Sequence, residues 1–406
     1  MNKFSILAYI CVFFLIFAFP LIPGISSAKL LLLFLVLYFI IYPSALRKYL
    51  KVYNYFSKNY WKAHLLLVFI TLFTTVAYFQ FDFSLLTKVV SSFILFPVSY
   101  ILLSKCSNNI DVDLAIVYCF VFQSILILLS LISESFYNLT DPFREVSEQN
   151  MESYGRLRGN AICGYQFFGI ASMYSFVLLY FILYIEKFDY KIPILILLLV
   201  GAILSGRFSV VGLIVGLFFF VLKNFKVQHP SKLFGYLILI VSIGLLAIKG
   251  IYYFEETVDD PLMSKVVNHY LIQPLDSVLK DGEFESSSTD RLDEMYKSQD
   301  IKPYLFLGSG KYTNSDGTYF GHVDAGYLRT LGYYGFFGFL VLLYCIYHVC
   351  LKSRNSLDWY GRWAFLILFL VLNYKGDIQV YSNNIIPIIV GFLFFSHNPK
   401  NIQSNG

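Results

Sequence analysis

This sequence predicts an all-α fold: a polytopic membrane helix bundle of about 12 transmembrane helices, with one long, partly helical extracytoplasmic loop. Three observations carry that expectation. Of the 406 residues, 57% are apolar and 14% charged, and the mean hydropathy is +0.64, outside the range of soluble globular chains. The apolar residues gather into runs close to the length a helix needs to cross a hydrocarbon core. The net charge of +5 is small, and the basic residues sit in short clusters between those runs. Such clusters read as topology signals rather than as a nucleic-acid face.

Taken in order, the runs lie near 4–22, 27–43, 63–80, 85–103, 114–133, 161–185, 192–205, 208–222, 233–253, 325–350, 363–376 and 383–396. The first has the character of a signal peptide, but no small-residue cleavage site follows it and Pro20 and Pro23 lead into the next run, so a retained first span is expected. The seventh, eighth, eleventh and twelfth runs are short, which is tolerated when a helix is tilted, broken or re-entrant and buried among others. The six cysteines fall inside or at the ends of runs, leaving no disulfide framework or zinc pattern.

Orientation follows from counting Lys and Arg in alternate short loops. With a cytoplasmic N-terminus, sixteen fall inside, among them Arg47, Lys62, Lys187, Lys223 and Arg362, against six outside. Both termini are therefore expected inside, with spans one to nine over 1–253, a large outer loop over 254–324, and spans ten to twelve with a cytoplasmic tail over 325–406.

The long loop is too polar to span a membrane and too long to be a simple connection, so function is sought there. Apolar residues recur at helical spacing over 262–279, with Pro274 as a kink, which predicts an amphipathic helix on the membrane surface. Asp290 is placed to cap a second helix carrying Arg291, Glu294 and Lys297, ending before Pro303.

The residues singled out for chemistry are arginines expected at the outer face near glycines. Arg156, Arg158 and Gly169 lie in YGRLRGNAICGYQFFG, Arg207 in SGRFS, Arg291 ahead of PYLFLGSGKY with Gly308 and Gly310, and His322, Asp324 and Arg329 in HVDAGYLRTLGYYGFFG. Guanidinium stays ionised near a low-dielectric boundary and grips phosphate oxygens with a bidentate fork, so convergent outer arginines suit a lipid-linked pyrophosphate. Each has a competing structural role. Arg156 and Arg158 are placed to anchor helices at headgroups, Arg207 to cap carbonyls and Arg291 to pair with Glu294. His322 is a candidate general base or a plain surface histidine, and Asp324 a catalyst or the N-cap of the tenth span. Arg329, one turn into that span, faces the protein interior or a watery cavity, while Lys88 and Lys249 are expected to snorkel. GSG alone is a weak sign of a phosphate nest.

The Arg158-to-Gly169 spacing, the SGR turn, the run from DRL through KPYLFLGSG and DAGYLRTLGYYGFFG together resemble the Wzy-type O-antigen and capsule polymerases of the O-antigen polymerase and ligase superfamily. The resemblance, with the order of spans, covers most of the chain. It implies a glycosyltransferase of the bacterial cytoplasmic (inner) membrane, active at its outer face in O-antigen or capsule polysaccharide biosynthesis. The transfer it implies is inverting, from undecaprenyl pyrophosphate, with no metal or other cofactor. The pyrophosphate-holding role then falls on Arg158, Arg207 and Arg291, with Arg156, Gly169, Gly308, Gly310 and Arg329 around the substrate. Partners implied are the lipid-linked oligosaccharide, membrane lipids and a chain-length regulator, and no nucleic acid. His322 occupies roughly the place of the ligase histidine, so O-antigen ligase stays open beside polymerase. A lipid-linked oligosaccharide flippase is the alternative from another class, disfavoured because the ionisable residues gather at the outer edge rather than the midplane.

Overall fold

A computed structural model describes residues 3–22, 25–44, 56–79, 81–144, 161–165, 167–224, 287–297, 300–314, 318–353, 356–379 and 382–396. The ninth run at 233–253, Lys249, the amphipathic segment at 262–279, Arg156 and Arg158 lie outside the described residues.

The described residues are mostly helical. In chain order the helices are α1 (Lys3–Phe17), α2 (Ser27–Ile41), α3 (Lys58–Ala77), α4 (Ser84–Cys106), α5 (Val112–Ile132), α6 (Glu134–Thr140), α7 (Phe168–Leu183), α8 (Lys191–Ser205), α9 (Val211–Asn224), α10 (Ser287–Lys297), α11 (Gly326–Tyr347), α12 (Trp359–Lys375) and α13 (Ile386–Phe395). Eleven of the twelve apolar runs thus fall on helices. Five stretches, Lys58–Ala77, Ser84–Cys106, Val112–Ile132, Arg207–Asn224 and Gly326–Lys352, are long and apolar enough to cross a membrane. The other apolar helices are shorter.

Boundaries moved where proline or packing intervened. The first run stops being helical at Phe17, and Pro20–Ile22 and Ile25–Ser26 form a small antiparallel hairpin. Proline lacks an amide donor and is costly in a helix interior, and Pro20 follows just beyond the end of this one. The sixth run begins helically only at Phe168, because 161–165 packs instead beside the α1 end, where the Gly164 amide donates to the Phe17 carbonyl at 2.9 Å.

α7 is apolar all round, and every residue from Ile170 to Leu183 is buried. It packs against α5, α8, α9, α12 and α13. Large apolar side chains on the rim stay exposed, including Phe34 and Ile40 of α2 and Phe69 and Phe73 of α3. That inverted distribution is what a lipid-facing bundle presents. Between α3 and α11 runs a polar seam in which Thr75 Oγ1 meets the Tyr333 hydroxyl at 2.6 Å and Thr71 Oγ1 meets Tyr334 at 3.1 Å.

α11 is broken at Gly335, where φ is 70°. The preceding loop supplies the bonds the break removes. The Ser309 and Gly310 amides donate to the carbonyls of Gly332 and Tyr333 at 2.7 and 3.2 Å, and the Phe336 amide donates to Phe306 at 3.0 Å. Gly308 sits so close to this break that a Cβ would lie 2.4 Å from the Tyr333 carbonyl oxygen.

Polar side chains collect at both ends of the bundle. At one end Lys187 bridges Asp113 at 2.9 Å and donates to Ser396 Oγ, and Lys223 pairs with Asp358 at 2.7 Å. The other end carries the cavity described next.

Candidate functional site

The cavity forms where the ends of five helices, α4, α7, α11, α12 and α13, meet the loop that carries Tyr312 and Tyr319. At its base, α11 begins against the end of α12 so closely that a Cβ on Gly326 would stand 2.3 Å from the Gly376 carbonyl oxygen, and one on Gly376 would strike the Phe168 ring. Asn373 locks the chain leaving α12 through its amide, which donates to the carbonyls of Phe369 and Ile378. Asn384, ahead of α13, donates to the Gly169 carbonyl at 2.9 Å and ties that turn to the start of α7. The cavity is partly open to solvent and has a volume of about 560 Å³, within the range of small-molecule sites.

One wall is charged and aromatic: Lys88, Tyr312, Tyr319, Asp324, Arg329 and Asp377. The rest of the lining is neutral and polar, with Gly169, Ser382, Asn383 and Asn384, together with the rings of Tyr165 and Phe168.

Arg329 is 7% exposed, and its guanidinium lies 3.6 Å from the Tyr319 ring centre and 4.1 Å from that of Tyr312. Cation–π contact on both rings holds it in place without using its N–H groups. Its Nε and Nη2 are buried and have no hydrogen-bond partner. Leaving such donors bare costs on the order of a few kcal/mol, so they are placed to take lone pairs from water or from a ligand in the cavity.

Tyr312 organises this wall. Its amide, and the amide and hydroxyl of Thr313, donate to Asp82 Oδ2 at 2.8, 2.7 and 2.9 Å. Burial alone would push the Asp82 carboxyl up, but hydrogen bonds from Ser84, Thr313 and Tyr312 together hold it below its usual range. The Tyr312 phenol donates to Asp377 Oδ2 and receives Lys88 Nζ at 3.4 Å. Burial first, and then the Asp377 charge, raise its pKa well above the ordinary value, so the phenol stays protonated and donating.

Asp324 lines the cavity and is exposed to solvent there, with protein atoms packed around the remainder of the residue. Burial pushes its carboxyl above the ordinary aspartate range; Arg329, Arg291 and Lys375 pull the other way, and Asp377 adds to the rise. α10 roofs this corner. Tyr296 stacks on Tyr374 at 4.9 Å and donates to the Tyr374 carbonyl, Leu292 is buried with Ile301, Val323 and Leu328, and Arg291 stays exposed.

Of the residues singled out in the sequence, Gly169, Asp324 and Arg329 line the cavity, and Arg291 acts on Asp324 through its charge. Four others are placed differently. Arg207 opens the 3₁₀ turn Arg207–Val210 and is not among the lining residues; only its neighbour Phe208 reaches the Phe168 ring, at 5.7 Å. His322 is exposed, has φ of 52° and does not line the cavity. Gly308 and Gly310 form no phosphate nest, because the amides of 308–311 are all spent: on the Tyr304 carbonyl, on α11 and on the Ser309 hydroxyl. Asp324 does not cap α11, whose N-cap position is Ala325, and Asp290 lies inside the first turn of α10, which starts at Ser287.

Sequence reasoning missed Lys88, Tyr312, Tyr319, Asp377, Asn383 and Asn384. Lys88 was assigned to snorkelling, yet its ammonium lies 4.6 Å over the Tyr312 ring in the cavity wall. An ionisable residue one turn inside an apolar helix is itself a signal, and Lys88 carried it.

Compared with known proteins, the chain matches no family model, no curated protein and no solved structure.

Proposed function

We propose that this chain is a membrane-embedded glycosyltransferase that polymerises polysaccharide at the outer face of the bacterial cytoplasmic membrane, joining oligosaccharide repeat units carried on undecaprenyl pyrophosphate. The observation that carries the reading is Arg329: a guanidinium gripped by two tyrosine rings, with two buried N–H-bearing nitrogens unpartnered, in the wall of a cavity that also holds Lys88 and a carboxylate. Two cations suit the diphosphate of a lipid-linked donor, and a carboxyl raised by burial suits a base for an acceptor hydroxyl.

In this reading the acceptor hydroxyl oxygen attacks the anomeric carbon from the face opposite the diphosphate. The new glycosidic bond forms as the bond to the diphosphate oxygen breaks, and its electron pair leaves on that oxygen beside Arg329 and Lys88. The hydroxyl proton passes to Asp324. Attack from the opposite face inverts the anomeric centre.

Glycan analysis of a deletion strain tests the reading. Accumulation of single-repeat units, restored to polymer by the wild-type gene, is expected; full-length lipid-linked polymer left unattached marks a ligase, and unchanged surface polymer overturns both. Complementation with Arg329 variants refines it. Arg329→Ala should lower polymer per inserted protein by on the order of a hundredfold, and Arg329→Lys should recover only part, because it keeps charge but loses the fork. Near-normal polymer from Arg329→Ala removes the arginine from the site.

A further inference from the structure

Asp377 presents two different oxygens to its surroundings. Oδ2 accepts the Tyr312 hydroxyl, whereas Oδ1 is buried and has no hydrogen-bond partner. The carboxylate is held firmly, since Tyr312 is fixed in turn by Asp82 and by the Arg329 guanidinium on its ring. The cavity wall thus contains orphaned donors on Arg329 and an orphaned acceptor on Asp377.

A bare oxyanion satisfies only the first of these, and it is repelled by the second. A ligand that answers both carries an anionic group and a hydroxyl donor within one small volume. The same cavity is lined by Ser382 and Asn383, neutral hydrogen-bonding groups of the kind that hydroxyl-rich ligands use.

We infer that Asp377 Oδ1 anchors a sugar hydroxyl of the substrate, so that the same cavity reads phosphate through Arg329 and carbohydrate through Asp377. This assignment rests on the glycosyltransferase reading and adds to it a residue that selects for the glycan. Asp377→Asn is the sharp variant. The amide oxygen still accepts from Tyr312, which leaves an N–H group where the free lone pairs stood.

The experiment uses the full chain in lipid nanodiscs and two probes: undecaprenyl pyrophosphate without sugar, and the lipid-linked oligosaccharide that accumulates in cells lacking the protein. Wild type is expected to bind the sugar-bearing lipid more tightly. Asp377→Asn should shrink that margin about tenfold, the scale of one hydrogen bond to a charged group, while affinity for the bare lipid holds or rises because the carboxylate that repels its pyrophosphate is gone. Tyr312→Phe, which keeps the ring under Arg329, should give a smaller loss of the same kind and serves if Asp377→Asn fails to fold. A margin between the two lipids that Asp377→Asn leaves at its wild-type size overturns the anchor while the glycosyltransferase reading stands. Binding of neither lipid by wild type overturns both.

Discussion

Asp324 is tuned by charges from three helices: Arg329 on α11, Arg291 on α10 and Lys375 on α12. If Asp324 is the base for an acceptor hydroxyl, as proposed, it must be ionised, so polymer formation should rise with pH through its pKa, which burial sets above the ordinary aspartate range. Arg291 favours the ionised form, hence Arg291→Gln should move the acid limb of the rate profile to higher pH, and more so at low ionic strength because Arg291 is exposed. Initial rates across pH for wild type, Arg291→Gln and Asp324→Asn check this. A limb that moves the other way, or full activity in Asp324→Asn, takes the base role from Asp324. At this scale the sequence was partly readable. Arg329 and Asp324 stood out as ionisable groups at the start of a span, while Asp377 and Tyr312 did not, because an aspartate after a span and one of 33 tyrosines acquire meaning only from what folds against them.

The helices themselves were legible because their apolar runs are long, and the all-apolar α7 and α13 are buried as such sequences demand. Their ends were less so. An acid anywhere in the first turn suits the helix dipole, so Asp290 did not by itself mark where α10 begins. What pins the ends is tertiary. Asp113 in the first turn of α5 takes hydrogen bonds from Lys187 and from Tyr180 of α7, and Lys187 and Tyr180 both reach Ser396 beyond α13. Removing one member strands the other in a largely dry setting. Lys187→Met should destabilise the detergent-solubilised protein by on the order of 3 kcal/mol, seen as a lower Tm, with Asp113→Asn added to Lys187→Met restoring part of the loss. A Tm unmoved by Lys187→Met means the pair carries no stability.

Across the whole molecule, alternate helix ends gather on opposite sides: Lys187, Lys223 and Asp358 at one, and Lys88, Arg329, Asp377 and the loop of Tyr312 at the other. The alternation matches the order of spans read from the sequence. Combined with the Lys and Arg asymmetry, it leads us to expect the cavity on the outer face. A membrane-impermeant maleimide applied to intact cells should modify a cysteine at Asp300 and reach one at Glu186 only after permeabilisation. The reverse pattern inverts the topology and removes the substrate assigned to the site. The cavity was illegible as a whole because its walls come from Lys88, the stretch around Gly164 and Gly169, Tyr312 and Tyr319, Asp324 and Arg329, and Asp377 and Asn384, segments that no spacing rule connects.

The break in α11 carries a consequence for biogenesis. The carbonyls of Gly332 and Tyr333 are satisfied by amides from the loop that precedes the helix, not by the helix itself. In hydrocarbon each bare carbonyl costs several kcal/mol, so α11 cannot settle to full depth before 306–310 has docked on it. Insertion of this span and folding of the loop are therefore expected to be one event, with the loop acting as a checkpoint on maturation. Gly308→Ala, which forces a methyl group toward the Tyr333 carbonyl, should leave synthesis untouched and prolong the protease-sensitive phase of newly made chains in a pulse–chase experiment. Maturation at the wild-type rate would uncouple the two.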